Sequence, residues 1–468
     1  MQCPDPTTAA EQLTDQDITR AVELLFLTKK GVTSQLLEVG TRDGIVELAG
    51  LTNNLLARER AEAIAKEVRG VRGVVNTIVV RTQPVSDAEL LRAVRQTLQD
   101  HAVTADYPIQ CQVQQGAVMV TGTVRSWAEQ QLALQLLKGI RGVQQVHDQL
   151  LVQPQPGQPP AHLLPRLRAL LEWDVRLKSD LVSLRRDNAT VHVSGTVGTP
   201  AEREQVIGLA YAAGAAHVEA DNLAVADWAR DKQLRLQRFV PKADADIERA
   251  VRDVLHLDAR VQPFAATVIV NVRHGQVTLF GTVGHLLAHD AAAQDAGNVI
   301  GVVAVQNLLQ IRAHYLAPDA VTRQQVAAAL ARDAYVGHYA FLVAVHDGKV
   351  RLDGTVPSYA NQARAAEVAA GIRGVAAVEN YVAVQQAPRP GQLFHVPEPD
   401  AALAERIRSH FFWSARLHDQ EINVQVRDGQ VTLSGTADTR LDREQAAEEA
   451  LLCGAREVRN HLHLAYAP

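Results

Sequence analysis

Aromatic side chains are scarce in this sequence. Phe, Tyr and Trp make up 4% of 468 residues, so any core must rest on Val, Leu, Ile and Ala. Cysteine is also rare. Cys3, Cys111 and Cys453 lie far apart, which excludes a disulfide framework or a thiolate metal pattern. Cys111 alternates with Ile109 and Val113 and reads as a buried, inert thiol on the inward face of a strand. Long apolar runs are missing, so no segment suits a membrane span. The polar stretch Met1 to Asp17 lacks the order of a secretory signal, and with Met1 as the native start the expected compartment is the cytoplasm. Positive charge is not in excess. The formal net charge is −5, and no nucleic-acid partner is expected. What is present, 47% hydrophobic and 21% charged residues, is the composition of a soluble globular chain long enough for several domains.

One pattern recurs six times: an apolar alternation, a turn, then Val-x-Leu-x-Gly or a close variant. It reads Gly44-Ile-Val46-Glu-Leu48-Ala-Gly50, then Gly116-Ala-Val118-Met-Val120-Thr-Gly122, then Ala189-Thr-Val191-His-Val193-Ser-Gly195. The later copies end at Gly281, Gly354 and Gly435. Period-two alternation on both sides of a Gly-containing turn predicts a β-hairpin. Asn188-Ala189 in the third copy suits a tight turn badly, so a longer or distorted loop is expected there. The glycines Gly50, Gly122, Gly195, Gly281, Gly354 and Gly435 are read as structural turn glycines that need no ligand.

A helix should follow each hairpin, with N-caps at Ser126, Thr199, Ser358 and Thr439. Small or apolar residues then recur four apart, from Ala61 and Ala65 to Ala446 and Ala450, which lets the helix sit close to the sheet. A first helix precedes each hairpin; Ile18, Val22 and Leu25 share one face, as do Leu91, Val94 and Leu98, and Ile247, Val251 and Val254. Ser86 with Glu89 forms a capping-box pattern. A Gly-rich turn and a third strand close the module, as in Gly301-Val302 to Asn307 and Leu309. The strand reached through the second helix should run parallel to its neighbour. The fold class is therefore α+β: six tandem α-β-β-α-β modules over 14–81, 86–152, 159–226, 243–312, 318–385 and 399–466, each a three-stranded sheet with two helices on one face.

Gly-x-Val-x-Leu-x-Gly-x-Val, a helix, then Gly-Val-x-x-Val-x-Asn-x-Leu resembles the BON domain, most clearly at Gly348 to Val384 and Gly116 to Val152. Copies three and six depart most, near Gly214 and Gly454. The resemblance implies non-catalytic modules, often in envelope proteins, for which binding to phospholipid or anionic membrane surfaces is the usual proposal. One relative is associated with potassium. No lipid- or ion-contacting residue transfers to this chain.

The modules also fall into two blocks of three, near 14–226 and 243–468. Copies three and six share Trp173-Asp-Val-Arg-Leu177 and Trp413-Ser-Ala-Arg-Leu417 and follow matching Pro-rich linkers, which implies duplication of a three-module block. Between the blocks, Arg230, Lys232, Arg235 and Arg238 alternate with Leu234, Leu236 and Phe239. A linker packed on its neighbours is favoured over a docking strand or a surface that attracts anionic groups.

No phosphate loop, dinucleotide fingerprint, nucleophile elbow or zincin motif occurs. His285 and His289 sit four apart and could share a metal, but a solvated helix face is favoured; His461 and His463 should point out of the last strand. No cofactor or metal is expected, and the chain is not read as an enzyme. The first functional reading is a structural protein that self-assembles into a ring, tube or filament-like homo-oligomer. The second is multivalent phospholipid binding. Trp173, Trp228, Arg235, Phe239 and Trp413 are the interface candidates.

Overall fold

The computed structural model describes residues 13–28, 36–82, 84–153, 162–188, 190–231, 234, 242–312, 317–385 and 399–465. Within them the apolar alternation produces six separate sheets, each with the second strand in the middle. Module 4 is typical. Its first helix is Asp244–Leu255, its strands are Val268–Arg273, Gln276–Val283 and Ala304–Ile311, and its second helix is Leu286–Gly297. The first two strands pair antiparallel and the last two parallel. The inward side chains Val268, Val270, Val272, Val277 and Leu279 meet Ala292 and Ala296 of the second helix and Ile247 and Val251 of the first. Every one of the six residue pairs spaced four apart on the second helices is fully buried, beginning with Ala61 and Ala65. In the first helix of module 2 the inward residue is Leu90, with Leu91 only partly buried beside it. Module 1 breaks its third strand into Gly73–Asn76 and Val79–Val80, both paired to the middle strand.

The hairpin turns have two residues with positive φ, such as Asp43 at 52° and Gly44 at 73°, the geometry that matches strand twist. Module 3 keeps the same length. Asp187 pairs with Thr190 as Arg42 pairs with Ile45, so the expected longer loop is not found; Asn188 takes φ 52° without difficulty, and Ala189 lies outside the described residues. The glycines that close the repeat motif are not in turns. They sit within the middle strand, where the chain entering the first strand crosses closely. A Cβ on Gly50, Gly122, Gly195, Gly281 or Gly435 would lie within 2.3 Å of a carbonyl oxygen. Gly354 is looser, at 2.9 Å.

One anchor recurs in five modules. The Asp at the start of the first helix accepts both amide N–H groups of the hairpin turn. Asp15 takes Asp43 and Gly44 at 2.8 and 2.9 Å, and Asp400 takes Asp428 and Gly429 at 2.8 and 2.9 Å. Asp87, Asp244 and Asp319 do the same. The motif Asn has a second fastening role. Asn307 and Asn380 each donate to a carbonyl of the second helix and accept the amide two residues on.

Candidate functional site

The modules dock on one another through their ends, in the pairs 3 with 4, 6 with 1 and 2 with 5. The end of the first helix of one module forms a short antiparallel bridge with the turn after the second helix of another. In modules 3 and 4, Ile300 N donates to Trp173 O and Val175 N to Asn298 O, both at 3.0 Å. In modules 6 and 1, Arg69 N donates to Trp413 O at 3.0 Å and Ala415 N to Glu67 O at 3.2 Å. Modules 2 and 5 make the bridge twice, once in each direction. Ala102 and Arg373 bond to Gly371 and Asp100, and Ala334 and Arg141 to Gly139 and Arg332, at 2.8 to 2.9 Å. This is the contact pattern of a two-fold relation between the blocks: the seam of 3 with 4 becomes that of 6 with 1, and the seam of 2 with 5 maps onto itself.

The turn length decides which modules receive a bridge. From the second residue of the buried pair on the second helix to the first inward valine of the third strand there are nine positions in module 4, Ala296 to Val305. Modules 3 and 6 have eight, Ala210 to Val218 and Ala450 to Val458. The residue that would bridge is the one missing. This is the physical content of the departures near Gly214 and Gly454.

The side chains at the bridge differ. Trp173 packs against the core of module 4, and Trp413 against the core of module 1. At the same position modules 2 and 5 carry Asp100 and Arg332. The buried Asp100 and the partly buried Arg332 form an ion pair at 3.0 Å, and Asp100 also accepts from Gln96 and Gln325. Trp173 and Trp413 are thus at interfaces inside the chain. Trp228 sits apart, 56% exposed on the short helix Asp227–Arg230. That helix is held by Arg230 on Glu202 and by Arg69 on Asp227. Arg235 and Phe239 lie outside the described residues.

His285 and His289 do not converge. His285 is a buried N-cap whose Nδ1 accepts from Ala288 at 3.0 Å, while His289 faces Asp290. Burial, then nearby Arg260, pushes the His285 pKa down to about 4; burial, then His285, takes His101 down to about 3. Cys111 and Cys453 are buried free thiols, and burial lifts Cys111 to about 11. Asp319, His346 and Asp347 bring ligand atoms together on the surface, but both oxygens of Asp319 already hold the hairpin turn.

The outer sheet faces differ among modules. In module 4, Ile269, Phe280 and Leu308 stand side by side across all three strands, each at least 41% exposed. Module 5 has Leu342, Asp353 and Tyr381 in that row, with Arg351 over the Tyr381 ring at 4.5 Å. Module 6 has Asn423, Ser434 and His461, and module 2 has Gln110, Thr121 and Gln149.

The BON domain family model matches six times, at residues 14–82, 86–154, 163–227, 243–313, 318–386 and 399–466. The chain belongs to the BON domain family. That family is generally non-enzymatic, which fits a molecule whose repeated side chains serve hairpins, helix anchoring and module docking. No curated protein matches the chain. Among solved structures, CdsD, a structural protein of the type III secretion system of Chlamydia trachomatis, is similar at 15% identity over 50% of this chain and 95% of that one, with a TM-score of 0.13. Its C-terminal domain gives 14% identity over 49% and 100%, with the same TM-score of 0.13. Likeness at this level carries no argument about function.

Proposed function

We propose that this six-BON chain is a non-enzymatic structural protein that assembles with copies of itself through the outer sheet faces of modules 4 and 5. The observation that carries the reading is the row Ile269, Phe280 and Leu308. Apolar side chains lying together on a solvent-facing sheet mark a protein contact, whereas scattered ones do not. The helix-end bridges support this placement indirectly, because they are used between modules of one chain. Among the described residues, sheet faces and the two outer strands of each sheet are surfaces these bridges leave open to other copies. A contact between different faces of two copies propagates into a ring or filament, and one between like faces closes as a dimer.

The test is particle mass by light scattering, with electron microscopy of the same sample. Wild type is expected well above the 50.9 kDa of one chain. The double variant Ile269→Ser, Phe280→Ser, which copies the Ser183–Ser194 pair of module 3, is expected to fall to one chain. A wild-type protein that stays at single-chain mass at high concentration removes the reading. Salt-sensitive flotation with anionic liposomes would favour the lipid alternative, against which the net charge of −5 weighs.

A further inference from the structure

A cavity of about 250 Å³ lies at the central seam, where modules 1, 2, 4 and 5 meet. Its apolar walls come in equivalent pairs from the two blocks: Leu56 with Leu287, Leu136 with Val368, and Ile140 with Ile372. The cavity therefore straddles the two-fold relation. Leu56, Leu136, Leu287 and Val368 are only half-buried, so apolar surface faces the space.

The polar groups break this pairing. Asp333 and His101 hold the same position, just after the first helix, in modules 5 and 2. Asp333 is fully used: Oδ1 accepts the amides of Tyr335 and Val336, and Oδ2 takes Arg364 at 2.8 Å. Where module 5 has Arg364 on its second helix, module 2 has Leu132. His101 thus keeps only the first role. Its Nδ1 accepts the amide of Val103 at 3.3 Å, which places the ring proton on Nε2. Burial keeps the ring neutral. Among the described residues no hydrogen bond reaches Nε2, and Gly371 leaves it uncovered, since a Cβ there would come within 3.4 Å. His101 is 7% exposed and lines the cavity, so this donor faces the cavity rather than bulk solvent.

The charged groups around the cavity are spent on one another. Glu59 pairs with Lys138, Arg260 with Asp258, Arg332 with Asp100, and Arg364 with Asp333 and Glu367. Neither sign is in surplus, so the ligand that fits is neutral. One water would satisfy the Nε2 donor but fills only about 30 Å³. A cavity of about 150 Å³ holds benzene, which scales to about ten carbon atoms here. We propose that this cavity binds a small neutral ketone, its carbonyl oxygen accepting from His101 Nε2 and its apolar body resting on the paired leucines and isoleucines. The site is independent of the sheet-face assembly reading, since none of its residues lies in the exposed row of module 4 or its counterpart in module 5.

The experiment is a ligand-detected NMR titration of the full chain with α-tetralone, against tetralin, the same ring system without the carbonyl. The ketone should saturate with a Kd on the order of 0.1 mM, and tetralin should bind about fivefold more weakly. Heteronuclear NMR of the histidine rings should show one Nε2 resonance that moves further with the ketone than with tetralin. His101→Phe keeps a ring and removes the donor, and should bring the ketone down to the affinity of tetralin. Leu287→Trp fills the cavity from module 4 and should abolish binding of both, with an unchanged circular dichroism spectrum. The comparison of ketone with tetralin on the wild type holds even if His101→Phe does not fold. No saturation by α-tetralone, equal affinity for ketone and tetralin, or undiminished binding in Leu287→Trp would each overturn the proposal.

Discussion

The seam between modules 2 and 5 and the seams of 3 with 4 and 6 with 1 use the same backbone hydrogen bonds but opposite side-chain chemistry. The flanking seams each put one tryptophan on a neighbouring core, and the bridge runs in one direction. The central seam is reciprocal, so the same position occurs twice in it. Two tryptophans there would compete for one space, and Asp100 with Arg332 makes a complementary pair instead. The difference teaches that the backbone bridge sets which modules meet, while the residue at the helix end is chosen by whether the contact is one-way or two-way.

The largest expected effect breaks the central seam. Asp100→Ala leaves the partly buried Arg332 without its counter-ion and two glutamine amides without their acceptor, and should lower stability by about 3 kcal/mol in urea denaturation. The exchange Asp100→Arg with Arg332→Asp should recover most of that loss. Equal damage from the single and double variants would contradict the pairing. In a flanking seam, Trp413→Ala should remove about 2–3 kcal/mol, since the ring is only partly buried, and should speed amide exchange at Arg69 while sparing Arg373.

Acid should sharpen the contrast further. His101 lies at the central seam and His285 in module 4, and both fold neutral. Their folded pKa values are depressed, so the unfolded chain takes up protons that the folded chain refuses. Their contribution is intact above pH 6.5 and declines as the pH falls, by about 1.4 kcal/mol per unit for each histidine. The decline of His285 ends near pH 4 and that of His101 near pH 3. His101→Asn should remove its half of the slope between pH 6.5 and 5.5. The smallest effect lies outside both seams. Asp400→Ala frees the hairpin turn of module 6 and should remove about 1–2 kcal/mol. Exchange should rise at Asp428 and Gly429 and stay unchanged at both seams.

The α+β fold was legible because its signals are local. Hairpin alternation, the N-caps Ser126, Thr199, Ser358 and Thr439, the capping box of Ser86 with Glu89, and the buried pairs on the second helices all stand where the residue spacing predicts. The anchoring Asp was missed, although its signal was present: an Asp opening the first helix 28 to 30 residues before the turn it holds. Trp173 and Trp413 were marked as interface residues, but their partners could not be read. Those partners depend on which turns have room for a bridge, and one residue more or fewer near Gly214 or Gly454 carries no hydrophobic pattern.

The Asp100–Arg332 pair has a consequence for the history of the molecule. Two separate copies of one half would bring identical residues to the central contact, acid to acid or base to base. Joining the halves in a single gene let the two sides become unlike. Once they had, neither half was a good match for its own twin, and a return to independent partners was closed off.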